Sequence, residues 1–291
     1  MNRSKWVQPN VATENRIFNP KQEYSMSTLK KTAIAAAIAG LFAPVVFAQA
    51  APEVEVSPIS ANVTITNDYR YRGITQTNYQ PAIQGGFDYA HESGLYIGNW
   101  NSTISWIGDQ NAGVSAPIEM DFYGGFKKEL IAPGFASDFG VLQYYYPMKG
   151  FSGANNPNTT EIYAAQNFTF GPVTGFVKIN YALSNVFGWA NTSGAYYPDF
   201  TANYDTGIWG LSLNGHIGYQ YMPSQSKIDG GSLSYMDWKL GVTKDFGGGL
   251  SLSGSYITTN ANPALYTTGT NVSANTFSGR GGAVVSLTKA F

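Results

Sequence analysis

The chain has no cysteine among its 291 residues. Disulfides, thiolate metal sites and cysteine nucleophiles are therefore excluded. Histidine is almost missing, with only His91 and His216. Charged residues make up 12%, about half of the roughly 25% usual in a soluble globular domain. Long apolar runs do not replace them. After residue 50 no segment approaches the roughly 20 consecutive apolar residues that a membrane helix requires. A chain poor in both fits a sheet with one face toward lipid and the other toward a neutral-polar interior. What is abundant agrees with this, namely glycine, at 33 residues, and aromatic side chains, at 15%.

The amino-terminal 50 residues read differently from the rest. Lys30 and Lys31 precede a small apolar stretch at 33–47, and Ala48-Gln49-Ala50 follows. This basic, hydrophobic, small-residue order predicts a cleaved secretory signal over 26–50, cut after Ala50 or Ala48. An uncleaved anchor is the alternative. Residues 1–25 are polar and aperiodic, and are read as an extension upstream of a working start at Met26. A start-codon change at Met26 that left protein levels unchanged would contradict that reading. Residues 1–50 hold six Lys/Arg and two Asp/Glu, leaving 11 basic and 16 acidic side chains and a net charge of −5. No basic patch suited to nucleic acid survives.

After a short polar segment at 51–58, expected in the periplasm, period-two alternation begins and continues to the end. Strand 1 is predicted over 59–71, with Val63, Ile65 and Tyr69 on one face. Asn62, Thr64, Thr66, Asp68, Arg70 and Arg72 fall on the other. A loop at 73–80 leads to strand 2 (81–91), a tight turn at Glu92-Ser93-Gly94, and strand 3 with Tyr96, Trp100, Ile104 and Trp106 on one face. The pattern repeats through strands near 117–129, 138–146, 160–170, 173–184, 199–205, 209–220, 235–246, 250–258 and 279–291. The facing of the 138–146 strand cannot be assigned. Pro133-Gly134, Gly171-Pro172, Thr206-Gly207 and Gly247-Gly248-Gly249 supply short turns. They alternate with long Asn/Ser/Thr/Gly-rich loops, the longest at 259–278.

The expected fold is an all-β transmembrane antiparallel up-and-down barrel of about 12 strands over 59–291, with short periplasmic turns and long extracellular loops. Closing the sheet gives every backbone polar group a partner in lipid. A soluble β-sandwich also alternates, but its turns need not alternate short with long. Tyr69, Trp106, Tyr144 to Tyr146, Tyr196, Tyr197 and Tyr221 sit near predicted strand ends, as interfacial girdles require. Ala283, Val285, Leu287 and Phe291 alternate up to a terminal Phe, the form of ending that the outer-membrane assembly machinery reads. Lys289 interrupts that row, and its stem can lie on lipid while its amine snorkels.

Several stretches carry a family resemblance. They are NVTITNDYRYRGITQT at 62–77, PAIQGGFDY at 81–89, SGLYIGNW at 93–100, IEMDFYGGF at 118–126, TEIY at 160–163 and VVSLTKAF at 284–291. Together they resemble the TorF-type porins of proteobacteria, over about residues 57–291. The resemblance implies an outer-membrane barrel and a channel, and supplies no catalytic motif. Asn101-Ser102-Thr103 departs from the small Gly/Ala-Ser-Asn run expected after the tryptophan.

With both termini periplasmic, strand parity sends a set of charges into the lumen. Asp68, Arg70 and Arg72 lie near the outer end of strand 1. Glu119, Asp121, Glu161, Asp199 and Asp237 lie near the outer ends of even-numbered strands, and Asp88 sits lower. Lys178, His216 and Lys239 complete the expected pore lining. An arginine pair facing an arc of carboxylates sets up a transverse field, which low-dielectric walls focus. The alternative is that these charges pair across neighbouring strands and fill the lumen.

No enzyme is expected. His91-Glu92-Ser93 has the close Ser-His spacing of outer-membrane lipases, but lies in a predicted periplasmic turn without an orienting partner. Two distant histidines make no metal constellation, and no cofactor is expected. The sequence therefore points to an exported outer-membrane channel for passive diffusion of ions and small hydrophilic solutes, with a weak cation preference. Its expected partners are the bilayer with its lipopolysaccharide, the assembly machinery acting on the C-terminal strand around Phe291, and the solutes themselves. A closed barrel serving as surface receptor, adhesin or structural protein is the alternative, with an outer-membrane hydrolase more remote.

Overall fold

Alternating apolar and polar residues become strands only if both backbone edges find partners, and the chain meets that demand by closing on itself. The computed structural model describes residues 57–153, 155–223, 231–269 and 276–291. The predicted upstream extension, signal segment and most of the segment 51–58 lie outside the described residues. The first strand is β1 (Ile59–Thr66), followed by the short pair β2 (Arg70–Tyr71) and β3 (Ile74–Thr75). Next come β4 (Ala82–Ala90), β5 (Leu95–Thr103), α1 (Trp106–Gln110), β6 (Ile118–Ala132), β7 (Phe135–Tyr145) and β8 (Thr159–Phe170). The remainder is β9 (Val173–Ala182), β10 (Tyr196–Asp205), β11 (Leu211–Gln220), β12 (Tyr235–Gly247), β13 (Leu250–Thr259) and β14 (Gly282–Ala290).

Twelve of these strands form a closed antiparallel barrel in sequence order, and β2–β3 stand apart as a two-stranded hairpin. Closure runs through β1 and β14, from Asn62 opposite Ala290 to Thr66 opposite Ser286. No edge is left unpaired, which is the condition for a sheet in lipid. The connections alternate as the sequence predicts. Residues 133–134, 171–172 and 248–249 turn the chain at one end, while loops of a dozen or more residues join strands at the other.

The outer face is apolar. Ile65, Ile83, Phe87, Ile97, Phe122, Phe139, Val177, Leu213, Leu240 and Val285 all project outward and are exposed. The barrel thus shows a hydrocarbon-compatible band around its whole circumference, the reverse of a soluble sandwich. The inner face carries Thr64, Gln84, Asp88, Asp121, Lys127, Asn180 and Thr243, all buried. The fold is a transmembrane barrel, and no helix among the described residues is long and apolar enough to cross a membrane.

Three expectations need correction. Strand 1 does not run to residue 71 but stops at Thr66. Asp68, Arg70 and Arg72 therefore leave the wall, and strand parity does not place them. Tyr69, predicted on the apolar face, is 2% exposed and lies inside. So do Tyr144, Tyr146 and Tyr197, which leaves Tyr145 as the exposed member of the expected girdle set. The physical reason is shared: each of the four buried phenols reaches a hydrogen-bond partner inside the barrel that lipid does not offer. Strand 3 also ends early, at Thr103, and Trp106 begins α1 instead of continuing the wall.

Candidate functional site

The site is the interior of the barrel at its loop end, and the segment between β1 and β4 builds it. Asp68 starts the reversal: its carboxylate accepts from Arg70 Nε at 2.5 Å and from Thr75 Oγ1 at 2.6 Å. These bonds tie β2 to β3. Arg70 also donates to the Gly73 carbonyl at 2.9 Å. At the tip, Gly73 has φ +79°, and a Cβ there would stand 2.8 Å from the Cβ of Asp237. Only glycine satisfies both the left-handed backbone and that close approach to the far wall. The hairpin consequently folds inward across the mouth. It is fixed by Thr75 N donating to Ser278 O (3.0 Å), and by Ser105 N and Trp106 N donating to Gln76 O (2.9 and 3.2 Å).

Arg72, next to that tip, is the main contact between hairpin and wall. It donates to both carboxylate oxygens of Glu161 on β8, at 3.0 and 2.7 Å, and to Gln220 on β11 at 2.5 Å. Its guanidinium also lies 4.2 Å from the ring centroid of Tyr197 and 4.8 Å from that of Tyr71. Asn180 donates a further bond to Glu161 at 2.8 Å. The anticipated arginine pair facing an arc of carboxylates is thus resolved into direct contacts. Arg72 spans the mouth to Glu161, while Arg70 stays with Asp68 in its own loop.

Tyr79 closes the other side of the hairpin. The guanidiniums of Arg70 and Arg280 lie 4.8 and 4.6 Å from its ring centroid, and its hydroxyl donates to Phe277 O. Burial raises the Tyr79 phenol above its ordinary range despite the opposing pull of Arg70 and Arg280. It therefore stays a neutral donor.

The wall charges sort into small groups. Glu119 accepts from Tyr69 (2.6 Å) and Tyr146 (2.7 Å), so it holds two loop-end phenols. Asp121 is buried beside it, with Oδ1 unpartnered among the described residues. Asp88 accepts from Tyr123 at 2.6 Å. His216 lies between Asp199 and Asp237, with each ring nitrogen 2.9 Å from a carboxylate oxygen. Asp237 also accepts from Tyr197 at 2.7 Å. Gly218 makes room for that phenol, because a Cβ there would come within 2.0 Å of the Tyr197 hydroxyl. Lys178 lies 4.3 Å from the Tyr163 ring centroid. Lys239, half-buried on β12, stands opposite His216 in the strand register.

Two interior groups were not among the expected pore lining. Asp138 accepts from Tyr96 at 2.6 Å, and Lys127 is buried with Nζ unpartnered among the described residues. The facing of β7 was illegible because its interior face carries Leu142 and Tyr144, both buried beneath the hairpin. Around Leu142 and Tyr144 both faces of that strand therefore carry apolar or aromatic side chains. The signal that could have exposed Asp138 is its i, i+2 spacing from Gly140 and Leu142. Of the remaining candidates, His91 and Ser93 close their own turn through a 2.9 Å bond, far from the mouth. Phe291 follows β14, and its N–H donates to Ala61 O at 2.9 Å. The longest loop, 259–278, is only partly described, since 270–275 lie outside the described residues. Hairpin 67–80 occupies the mouth, and residues 265–268 of that loop border it. No group of three or more His, Asp or Glu suited to a metal occurs among the described residues.

Known structures share this architecture. The NanC porin superposes with a TM-score of 0.51 at 6% identity, covering 79% of this chain and 98% of that one. The KdgM porin in complex with disordered oligogalacturonate gives 0.48 at 6% identity, covering 80% and 98%. OccD3 (OpdP) of Pseudomonas aeruginosa gives 0.41 at 12% identity, covering 82% and 66%. Identities this low speak to the fold alone. No curated protein matches the chain. The model of a bacterial protein family of unknown function, Gcw_chp, matches residues 49–291, and the chain belongs to that family.

Proposed function

We propose that this protein is an outer-membrane channel for passive diffusion of ions and small hydrophilic solutes. The observation that carries the reading is the inversion of the barrel: an apolar band outside and a charged, hydroxyl-rich lining inside. A barrel built only for anchorage has no need of ionisable groups in its interior, where burying each one is costly. The described interior holds eight carboxylates (Asp68, Asp88, Glu119, Asp121, Asp138, Glu161, Asp199 and Asp237). Against them stand five basic side chains, Arg70, Arg72, Lys127, Lys178 and Lys239. That surplus supports a weak cation preference. A non-enzymatic role is part of the same proposal.

Export through a cleaved signal, assembly read from the strand ending at Phe291, contact with lipopolysaccharide and kinship with TorF-type porins belong to the same proposal. The family match beginning at residue 49, beside the predicted cleavage site, supports the first of these. The latch of Arg72 on Glu161 favours a second reading, a barrel closed at its mouth that acts as receptor or structural protein. Purified protein in a planar bilayer separates the two. Stable single-channel steps with a cation-selective reversal potential support the channel, and a silent bilayer supports the closed barrel.

A further inference from the structure

A cavity of about 280 Å³ lies at the loop end, between the hairpin, α1 and the loops around residues 186–189 and 265–268. It lies between two apolar clusters, which line it with Tyr71 and Trp106 on one side and with Val186 and Met222 on the other. Each cluster combines several loops with strand ends, so the space between them is bounded by residues distant in sequence.

The chemistry of the lining is selective. Trp106, Trp189, Tyr235 and Tyr266 present aromatic surface. Tyr266 is held in place by a 2.6 Å bond from its hydroxyl to Leu233 O and by an edge contact with Tyr235 at 5.1 Å. Trp189 lies 6.4 Å from Tyr266 at a tilted angle, so the two rings form a corner. The polar lining is amide and hydroxyl, including Asn78, Gln110 and Thr267. Asn78 and Gln110 make no side-chain hydrogen bond to another described residue, which leaves donors and acceptors free. Asp109 is the only charged residue of the described lining, and it accepts from Ser105 Oγ at 2.7 Å. Arg72 does not line the cavity; it is turned to Glu161 and Gln220.

From this lining we infer that the cavity is a binding site for an uncharged saccharide. Rings of a rigid aromatic corner offer flat apolar surface to the C–H faces of a sugar. Side-chain amides donate and accept together, as vicinal hydroxyls require. An anionic sugar meets no free cation among the described lining residues, and a purely apolar guest offers the amides no hydrogen-bond partner. The volume falls just under the roughly 300 Å³ where small-molecule pockets begin, which suits one or two sugar rings. The inference rests on the channel reading insofar as the occupant is a solute held ahead of the lumen.

Isothermal calorimetry on the intact barrel in detergent tests it, with maltotriose, cellotriose, xylotriose, trigalacturonate and indole as probes. At least one of the three neutral trisaccharides is expected to bind, and W189A to weaken that binding by about ten-fold, the loss of one aromatic stack. N78A is the second variant, and both are checked for heat-dependent gel mobility so that a folding defect is not mistaken for lost binding. Binding of trigalacturonate or indole alone overturns the inference, as does no binding by any of the five. Neutral-sugar binding that survives both variants in folded barrels overturns it too. Calorimetry reads occupancy whether or not the barrel conducts, so a silent bilayer beside a positive titration rejects the channel and leaves the site standing.

Discussion

Replacing Arg72 by alanine removes one partner of a buried ion pair whose side chains are 6% and 2% exposed. Losing one member of such a pair costs about 3–5 kcal/mol, because the other charge stays buried without its counterion. The lower end applies here, since Asn180 still donates to Glu161 at 2.8 Å. The cost falls on the state with the hairpin folded in, where Glu161 is sealed. Swinging the hairpin out lets water reach Glu161 and relieves it. A shift of about 3 kcal/mol changes the ratio of covered to uncovered mouths by roughly 100-fold. In a planar bilayer R72A is therefore expected to raise mean conductance and the frequency of transitions between levels, and E161Q to do the same by stranding the arginine. The double variant R72L/E161L strands neither charge and should lie closer to the parent than either single change. Conductance and noise unchanged in R72A, with the barrel folded, would refute the latch. The hairpin would then be held by its backbone bonds to Ser278 and to the start of α1.

Other consequences are equally direct. G73A forces a side chain into φ +79° and against Asp237, a strain of about 1–3 kcal/mol; it should raise conductance as R72A does, and a trace identical to the parent would contradict the fit of the tip. Neutralising two wall carboxylates together, in E119Q/D121N, is expected to lower the cation-to-anion permeability ratio read from reversal potentials in a salt gradient, and no change would sink the cation preference. V177R places a charge at the centre of β9 on the lipid face, and should reduce folding stability in vesicles by about 2–4 kcal/mol; a loss below about 0.5 kcal/mol would mean that this face does not meet hydrocarbon. Deleting Phe291 removes the N–H that bonds to Ala61 at the closing seam. It should lower the yield of the heat-modifiable form in cells, and normal yield would deny the residue its assembly role.

The strands and the site were legible to different depths. On β4 and β9, alternation alone chose the facing. Ile83, Phe87 and Tyr89 point out and Gln84 and Asp88 in, as do Val177 and Ile179 against Asn180. Period two is a property of the backbone, and lipid on one side enforces it at every residue. The rule failed where an inserted loop replaced water as the inner neighbour. Leu142 and Tyr144 face inward because the hairpin covers them, and Tyr69 is apolar and aromatic yet serves as a donor to Glu119.

By itself, then, the sequence determined a closed barrel with an apolar exterior, the alternation of short turns with long loops, and the inward placement of Asp88, Glu119, Asp121, Glu161, Asp199 and Asp237. These follow from local periodicity and turn chemistry, which need no knowledge of distant residues. Only the tertiary structure decided that β1 stops at Thr66, that Gly73 brings a hairpin against Asp237, and that Arg72 meets Glu161 89 residues away. The aromatic corner of Trp189 and Tyr266, at 6.4 Å, is likewise made by two loops with no local sequence relation. Contacts of that kind are set by where barrel closure carries each loop, and closure is a property of all twelve strands together.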